Sequence, residues 1–165
     1  MDKITLGTRN VSIEFPGVKA LSNVDFEIET GVIHALMGAN GAGKSTLMKV
    51  LAGSNPGYTG DVLYNGNPVE LRNPAAAKKL GIQIVYQEVD MALIPTLTVA
   101  ENVMFNDLVM NMGHKQFVNY GKIRKDAKEA LARLNVNIDV RRMCGTLTLA
   151  QKQMVLIARA VQRDR

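Results

Sequence analysis

The sequence predicts an α/β fold with an antiparallel β layer near its N-terminus, a glycine-rich loop, and a helical part after residue 87. Apolar and polar residues tend to alternate over residues 4–15 and 24–28, which is the period of half-buried strands. A glycine-rich segment joins a short apolar run to a helical pattern, and after residue 87 the apolar positions keep helical spacing. With 165 residues, 47% of them hydrophobic, the chain can bury the core that such a fold needs.

The chain is basic, with a formal charge of +5. Several Lys and Arg residues fall in one helical stretch, residues 115–142, where a solvated face is the favoured interpretation and an anionic partner is the alternative. The single cysteine, Cys144, permits no intrachain disulfide. We expect it to be a buried small hydrophobic residue without a metal or catalytic role.

The sequence contains no candidate for a membrane span or a leader. No apolar run approaches the roughly 20 residues that a transmembrane helix needs. The first residues are too polar for a signal peptide. We therefore expect a cytoplasmic protein that associates with a membrane only through a partner.

Strands and helices are predicted from periodicity and from turn residues. Strands are expected at residues 4–15, 24–28, 32–37, 61–64 and 82–86, with turns at Pro16-Gly17 and Asn65-Gly66. Residues 32–37 form an apolar run and predict a buried parallel strand in which His34 is packed. Helices are expected over Lys44–Leu51, from Pro74 to about Lys79 after an Asn73 cap, over residues 99–105 and 117–134, and around Met154, Ile157, Ala158 and Val161.

The strongest motif is the glycine-rich loop. It matches the phosphate-loop pattern G-x-x-x-x-G-K-[ST] at every fixed position, and its residues are Gly38, Ala39, Asn40, Gly41, Ala42, Gly43, Lys44 and Ser45. Glycines let the backbone fold round an anion with its N–H groups inward, and the next helix presents its positive N-terminus to phosphates. Lys44 is expected to neutralise the β- and γ-phosphates, and the Ser45 hydroxyl to ligate Mg²⁺. The loop through Thr46 therefore predicts binding of Mg-ATP, and four fixed residues argue against a turn that binds nothing.

Further runs in the sequence resemble ABC ATPases. Two of these runs are residues 15–21 (Phe-Pro-Gly-Val-Lys-Ala-Leu) and residues 47–53 after the loop. Two later runs, residues 85–88 and 93–102, resemble the glutamine-loop region of the sugar-importer branch. The similarity covers nearly the whole chain and implies a P-loop NTPase core of the ABC ATPase type. We expect the β layer and phosphate-loop core in residues 1–87 and the helical subdomain with the signature helix in residues 88–163.

The resemblance assigns two residues outside the loop. ABC ATPases stack an aromatic side chain on adenine, and Phe15 is the match by position, with a plain core residue as the alternative. Gln87 matches the glutamine loop, whose side chain reaches Mg²⁺ or the attacking water. The resemblance therefore implies a catalytic and metal-binding role for Gln87, and a solvated residue after a strand is the alternative.

The signature of the family, Leu-Ser-Gly-Gly-Gln, is matched with departures by residues 147–151, Leu-Thr-Leu-Ala-Gln. The resemblance implies that Thr148 and Gln151 take part in binding the nucleotide across a dimer, with the Thr148 hydroxyl on the γ-phosphate. Ala150 adds a Cβ where phosphate approaches the backbone in the family pattern. Residues 147–151 therefore allow two interpretations: a weakened contact to the nucleotide of a second domain, or a contact altered for an asymmetric pair of domains.

The end of the chain also departs from the family pattern, which continues with an apolar strand ending in Asp-Glu. No Asp-Glu pair follows Gln87 in these residues. We expect a C-terminally truncated domain that binds ATP without hydrolysing it, because the general base and a second Mg²⁺ ligand are missing. The missing strand would pair beside residues 32–37, so the chain is expected to self-associate.

The resemblance implies an ATP-binding subunit that energises the import of a sugar from the inner face of the cell membrane. Its expected partners are membrane-spanning permease subunits, a second ABC domain in tandem or as a dimer, and indirectly a periplasmic or lipid-anchored sugar-binding protein. A soluble ABC ATPase acting on nucleic acid or the ribosome is the alternative, weakly supported by the basic charge. Against this alternative, the sequence contains no basic run interleaved with aromatic residues, which is the pattern typical of nucleic-acid binding. A phosphate-loop kinase or GTPase is disfavoured by Gln87 and residues 147–151.

Overall fold

The computed structural model describes residues 3–86, 89–111 and 118–162. The chain divides into two compact units, Met1–Ile84 and Val85–Arg165. Each unit has its own apolar core. None of the described helices is both long enough and apolar enough to cross a lipid bilayer.

The first unit contains an antiparallel sheet, as the alternating pattern predicts. Its strands are β1 (Thr5–Phe15), β2 (Val18–Glu29), β3 (Thr59–Tyr64) and β4 (Asn67–Val69), in the order β2-β1-β3-β4. The predicted turns at Pro16-Gly17 and Asn65-Gly66 join β1 to β2 and β3 to β4. One face of this sheet buries Val11, Ile13, Leu21 and Val62.

Two helices complete the first unit. Helix α1 (Lys44–Leu51) buries Leu47, Val50 and Leu51 against the same core as the sheet. Helix α2 (Pro74–Lys79) begins as predicted, since the Asn73 side chain accepts a hydrogen bond from the Ala76 N–H at 2.9 Å. The core of the first unit therefore fixes the start of α1, which directly follows the glycine-rich loop.

The buried parallel strand expected at residues 32–37 and the strand expected at residues 82–86 are not formed. Residues 32–37 are exposed, with Ile33 at 99% and Met37 at 87% of full exposure. His34 is also exposed, and its Nε2 accepts a hydrogen bond from the Glu29 N–H at 3.3 Å. The prediction was wrong here because a buried parallel strand needs hydrogen-bonded neighbours, and the described residues supply none for either segment.

The second unit is helical. Its helices are α3 (Val89–Ala92), α4 (Val99–Val103), α5 (Phe105–Asn111), α6 (Tyr120–Arg133) and α7 (Leu149–Val161), with one 3-10 turn at Cys144–Thr146. The helix expected over residues 99–105 ends at Val103, and α5 follows it; the predicted start at Phe117 lies outside the described residues. The core is built mainly from one side each of α4, α6 and α7. Cys144 is fully buried in this core, as expected.

Candidate functional site

The glycine-rich loop has a backbone that only glycine adopts easily. Gly41 has φ 85° and Gly43 has φ 83°, both in the left-handed region where other residues pay a steric cost. Between them, the Ala42 N–H donates to the Ala39 carbonyl at 3.2 Å. The loop therefore curls tightly immediately before α1.

The Lys44 side chain folds back over this loop. Its Nζ donates to the carbonyl oxygens of Gly38 at 2.8 Å and Ala39 at 2.7 Å. An ammonium group has three N–H donors, so one remains for a further acceptor after these two bonds. The cation is thus held at the loop, where it can meet an anion that the loop backbone binds.

The N-terminus of α1 is open. The first hydrogen bond inside the helix runs from the Leu47 N–H to the Gly43 carbonyl at 2.9 Å, and no side chain caps this end among the described residues. The amide groups of the first turn are therefore available to an anion, and the helix dipole favours negative charge there. Ser45 is exposed in this turn, and Thr46 is partly buried behind it.

The Ser45 hydroxyl fits a Mg²⁺ ligand. Mg²⁺ prefers oxygen ligands and usually takes only one or two from a protein, with phosphate oxygens and waters completing its shell. An exposed hydroxyl at a helix N-terminus that is open to phosphates meets this requirement. Gln87, the other predicted metal ligand and the predicted catalytic residue, lies outside the described residues.

The position of the loop is fixed by close packing of Gly43 on β2. A Cβ built on Gly43 would lie 2.6 Å from the Ala20 carbonyl oxygen and 2.7 Å from Leu21 Cδ2. Both distances are shorter than real Cβ contacts, so only glycine allows α1 to start this near to β2. Sequence reasoning identified this glycine from the motif and missed its packing role.

Phe15, the predicted adenine-stacking residue, ends β1 with 41% of its surface exposed. It is therefore not a core residue, which removes the alternative considered from the sequence. The exposed ring leaves a π face open to a ligand. Stacking on a base remains a prediction.

In the second unit, Thr148 and Gln151 form a capping box at the start of α7. The Thr148 hydroxyl accepts the Gln151 N–H at 3.3 Å, and the Gln151 Oε1 accepts the Thr148 N–H at 3.1 Å. The spacing [ST]-x-x-[EQ] at residues 148–151 predicts this arrangement, and our sequence reasoning missed it. The hydroxyl proton of Thr148 can still be donated, so the predicted contact to a phosphate remains compatible with the cap.

A polar network that the sequence did not reveal lies inside the second unit. Arg159 on α7 donates to the carbonyl oxygens of Asn102 at 2.6 Å and Ala92 at 2.8 Å, and to the Asn102 Oδ1 at 2.9 Å. Its guanidinium also lies 5.4 Å from the centroid of the Phe105 ring. These carbonyls belong to the last turns of α3 and α4, where helices leave acceptors unpaired. Arg159 therefore ties α7 to the ends of two other helices.

Burial changes the acid–base properties of two groups in this network. Desolvation lowers the pKa of Arg159, with the Cys144 thiol opposing this effect. Desolvation also raises the pKa of Cys144, which the nearby Arg159 partly offsets. Because an arginine guanidinium ordinarily holds its proton far above neutral pH, it stays charged here despite the lowered pKa. The raised pKa keeps Cys144 a neutral thiol at neutral pH.

A glycine-rich loop packed on β2, a lysine folded over that loop and an open helix N-terminus define a phosphate-loop nucleotide-binding protein. The chain belongs to the ABC transporter family, which it matches over residues 21–165. This match confirms the family that the sequence motifs predicted.

The curated relatives are sugar-import proteins by name. The ribose import ATP-binding protein RbsA 1 of Rubrobacter xylanophilus is 44% identical over 94% of this chain and 30% of its own length. A putative ribose/galactose/methyl galactoside import ATP-binding protein of Agrobacterium fabrum is 46% identical over 96% of the chain, and the arabinose import ATP-binding protein AraG of Pectobacterium atrosepticum 43% over 96%. The predicted resemblance to the sugar-importer branch is confirmed. The chain spans about 30% of the length of these relatives.

Solved structures agree on the fold. A nucleotide-free ATP-binding cassette from an ABC transporter matches with a TM-score of 0.79 at 25% identity, over 96% of this chain and 65% of that one. The ADP conformation of the cassette MJ1267 matches with a TM-score of 0.78 at 25% identity, over 98% of this chain and 65% of that one. The expected ABC ATPase fold class is therefore confirmed.

Proposed function

We propose that this chain is the ATP-binding, energy-coupling part of an importer for a sugar. The observation that carries the proposal is the geometry of the loop, where Lys44 is held over two loop carbonyls beside the open N-terminus of α1. The names of the sugar-import relatives support the sugar as the transported solute. The soluble alternative acting on nucleic acid has no support from these relatives.

The proposed roles follow from the positions of the groups. The amides of the first turn of α1 and the third N–H of Lys44 bind the β- and γ-phosphates. The Ser45 hydroxyl holds Mg²⁺, which screens the phosphate charge when it is bound. Phe15 stacks on the adenine ring, and Gln87 contacts the metal or the attacking water.

The proposed partners are permease subunits in the membrane and a second ABC domain. Thr148, as the N-cap of α7, donates its hydroxyl proton to the γ-phosphate of that second domain, and the α7 N-terminus adds its dipole. Gln151 holds Thr148 in place through the capping box. A periplasmic or lipid-anchored sugar-binding protein is an indirect partner of this chain. The complex lies on the cytoplasmic face of the membrane.

Changing Lys44→Ala is expected to weaken Mg-ATP binding by about tenfold to a hundredfold, since a hydrogen bond to a charged group contributes about 1.5–3 kcal/mol. Isothermal titration calorimetry of the 165-residue chain measures this loss.

We also expect no phosphate release above background, because no Asp-Glu pair that could supply a general base follows Gln87.

Lys49→Ala is the matched control, because Lys49 is an exposed lysine in the last turn of the same helix. It removes the same charge and leaves the loop unchanged, so its affinity should equal that of the unmodified chain. Equal affinities for Lys44→Ala and Lys49→Ala would refute the nucleotide site. Turnover of ATP by the unmodified chain would refute the inactive state.

We further propose that the 165-residue chain self-associates through residues 32–37. Their apolar side chains are exposed and their backbone pairs with no strand among the described residues. Such a segment offers hydrogen-bonding groups to a second copy. Light scattering after size exclusion should show a dimer or larger species, and Ile33→Lys should shift it towards the monomer.

Val109→Lys is the control for this experiment, since Val109 is an exposed valine on α5 in the other unit. It should leave the oligomer intact. A monomeric unmodified chain at tens of micromolar, or equal effects of the two substitutions, would contradict the proposal.

A further inference from the structure

A cavity of about 760 Å³ lies in the second unit, between α6 and the segment that follows it. Four basic side chains line it: Arg124, Lys125 and Lys128 on α6, and Arg141 beyond the turn. We call it the basic cavity. It shares no residue with the glycine-rich loop.

The helical spacing of α6 explains why these side chains gather there. Ala127, Ala130 and Leu131 face the core and are buried. Lys128 follows Arg124 by four residues and Lys125 by three, so the three share one stripe of the helix. All three are exposed. The helix therefore presents its basic stripe to the cavity and its apolar stripe to the core.

The turn after α6 supplies the other wall. Asn135 adopts a left-handed conformation with φ 55°, and the Val136 N–H donates to the Leu131 carbonyl at 3.0 Å. These two features end α6 in a tight turn. Asp139 then accepts the Arg141 N–H through its carboxylate at 2.9 Å, which fixes the backbone where Arg141 joins the lining.

The charge of the cavity lining is predominantly positive among the described residues. Four cations line it with one carboxylate, that of Asp139. The two salt bridges of the described chain belong to Lys3 and Arg72, so none of the four cations is paired with a carboxylate there. Like charges at helical spacings of three and four repel one another, and an anion bound among them would relieve that repulsion.

We propose that the basic cavity binds a small organic phosphate. Arginine presents a planar fork of donors that matches phosphate oxygens, and lysine adds point charge. The amide side chains of Asn135 and Asn137 add donors and acceptors to the lining, and Leu131 and Ile138 add apolar side chains for a carbon skeleton. The volume falls within the roughly 300–1,000 Å³ that is usual for ligand pockets. The interpretation favoured from the sequence was a solvated face of the helix. It explains the basic stripe, but it does not explain why the surface there is concave.

The test is a calorimetric titration with glucose 6-phosphate in a Lys44→Ala background, which weakens phosphate binding at the glycine-rich loop. Glucose 6-phosphate should bind, inorganic phosphate should bind more weakly, and glucose should not bind. Lys125→Glu with Lys128→Glu should weaken binding at least about tenfold, because each reversal removes an attraction and adds a repulsion. Lys125→Gln with Lys128→Gln should give a smaller loss.

Lys122→Glu is the matched control, since Lys122 is exposed on α6 and does not line the cavity. It should leave the affinity unchanged, and circular dichroism should report equal helix content in all variants. The proposal is overturned if the control and the double variant lose equal affinity, or if no phosphate compound binds at about 10 mM, roughly ten times the usual upper KM range. Binding to phosphatidic acid vesicles without binding to glucose 6-phosphate would also overturn it, since the site would then be a lipid surface.

Discussion

Gly43→Ala should destabilise the first unit by about 3 kcal/mol or more. The new Cβ would lie 2.6 Å from the Ala20 carbonyl oxygen, which is backbone and cannot rotate away. Overpacking of this kind costs about 1–3 kcal/mol, and a left-handed backbone costs alanine about 1–2 kcal/mol more. Relief of the clash requires α1 to move away from β2, so nucleotide binding should be lost as well.

Gly41→Ala separates the cost of the clash with β2 from the cost of the left-handed backbone. Gly41 has φ 85°, close to the 83° of Gly43, but a Cβ built on it meets nothing within 4 Å. Its expected loss is therefore only the backbone cost of about 1–2 kcal/mol. Urea unfolding followed by circular dichroism measures both free energies. Equal losses in the two variants would show that the contact with β2 is unimportant.

Local rules predicted much of the fold from the sequence. Asn73 before Pro74 specified the start of α2, and Asn65-Gly66 specified the turn between β3 and β4, because caps and turns depend on neighbouring residues alone. The glycine-rich loop was equally local. Its four fixed residues occur together because each satisfies a separate requirement of the same anion site.

Features that depend on distant partners were predicted poorly. Residues 32–37 have the composition of a buried strand, yet a strand forms only where a neighbour pairs with it, and composition carries no information about that neighbour. Arg159 shows the same limit. It lies among apolar residues of α7, and its acceptors on Ala92 and Asn102 are distant in sequence.

Among the predicted site residues, those of the loop rest on a complete motif, whereas Phe15 rests on its position in the sequence alone. The sequence left two interpretations of Phe15 because a phenylalanine after alternating apolar residues fits a core equally well. Its exposure at the end of β1 decides against the core. Thr148 was predicted as a phosphate contact, and the capping box adds a structural role that its spacing to Gln151 encodes.

Asn102→Ala should open the second unit, with a loss of about 3 kcal/mol or more in local stability. Asn102 is completely buried, and its amide nitrogen donates to the carbonyls of Ile94, Leu97 and Thr98 at 2.9–3.3 Å. Its amide oxygen accepts the Ile94 N–H at 2.9 Å. Each buried polar group left without a partner costs about 1–3 kcal/mol, and charged groups such as Arg159 cost more.

Hydrogen–deuterium exchange of peptides spanning residues 93–104 and 149–161 reports this loss directly. A difference of about 3 kcal/mol corresponds to more than a hundredfold faster opening, since about 1.4 kcal/mol is a factor of ten. Asn106→Ala is the matched control. Asn106 is only partly buried, lies on the neighbouring helix α5, and forms no side-chain hydrogen bond with the described residues. Equal exchange in the two variants would contradict the network.

A double-mutant cycle with Arg159→Met then separates the asparagine from the arginine. Methionine keeps an unbranched apolar stem in place of the aliphatic part of arginine and removes the charge and all donors. With Arg159 present, Asn102→Ala removes the acceptor of one guanidinium N–H; in the Arg159→Met background that hydrogen bond is already lost, so the same change costs less. We expect a coupling of about 1 kcal/mol or more, as is usual for residues that share one hydrogen-bond network. Additive losses would mean that Arg159 is held by the backbone carbonyls of Ala92 and Asn102 alone.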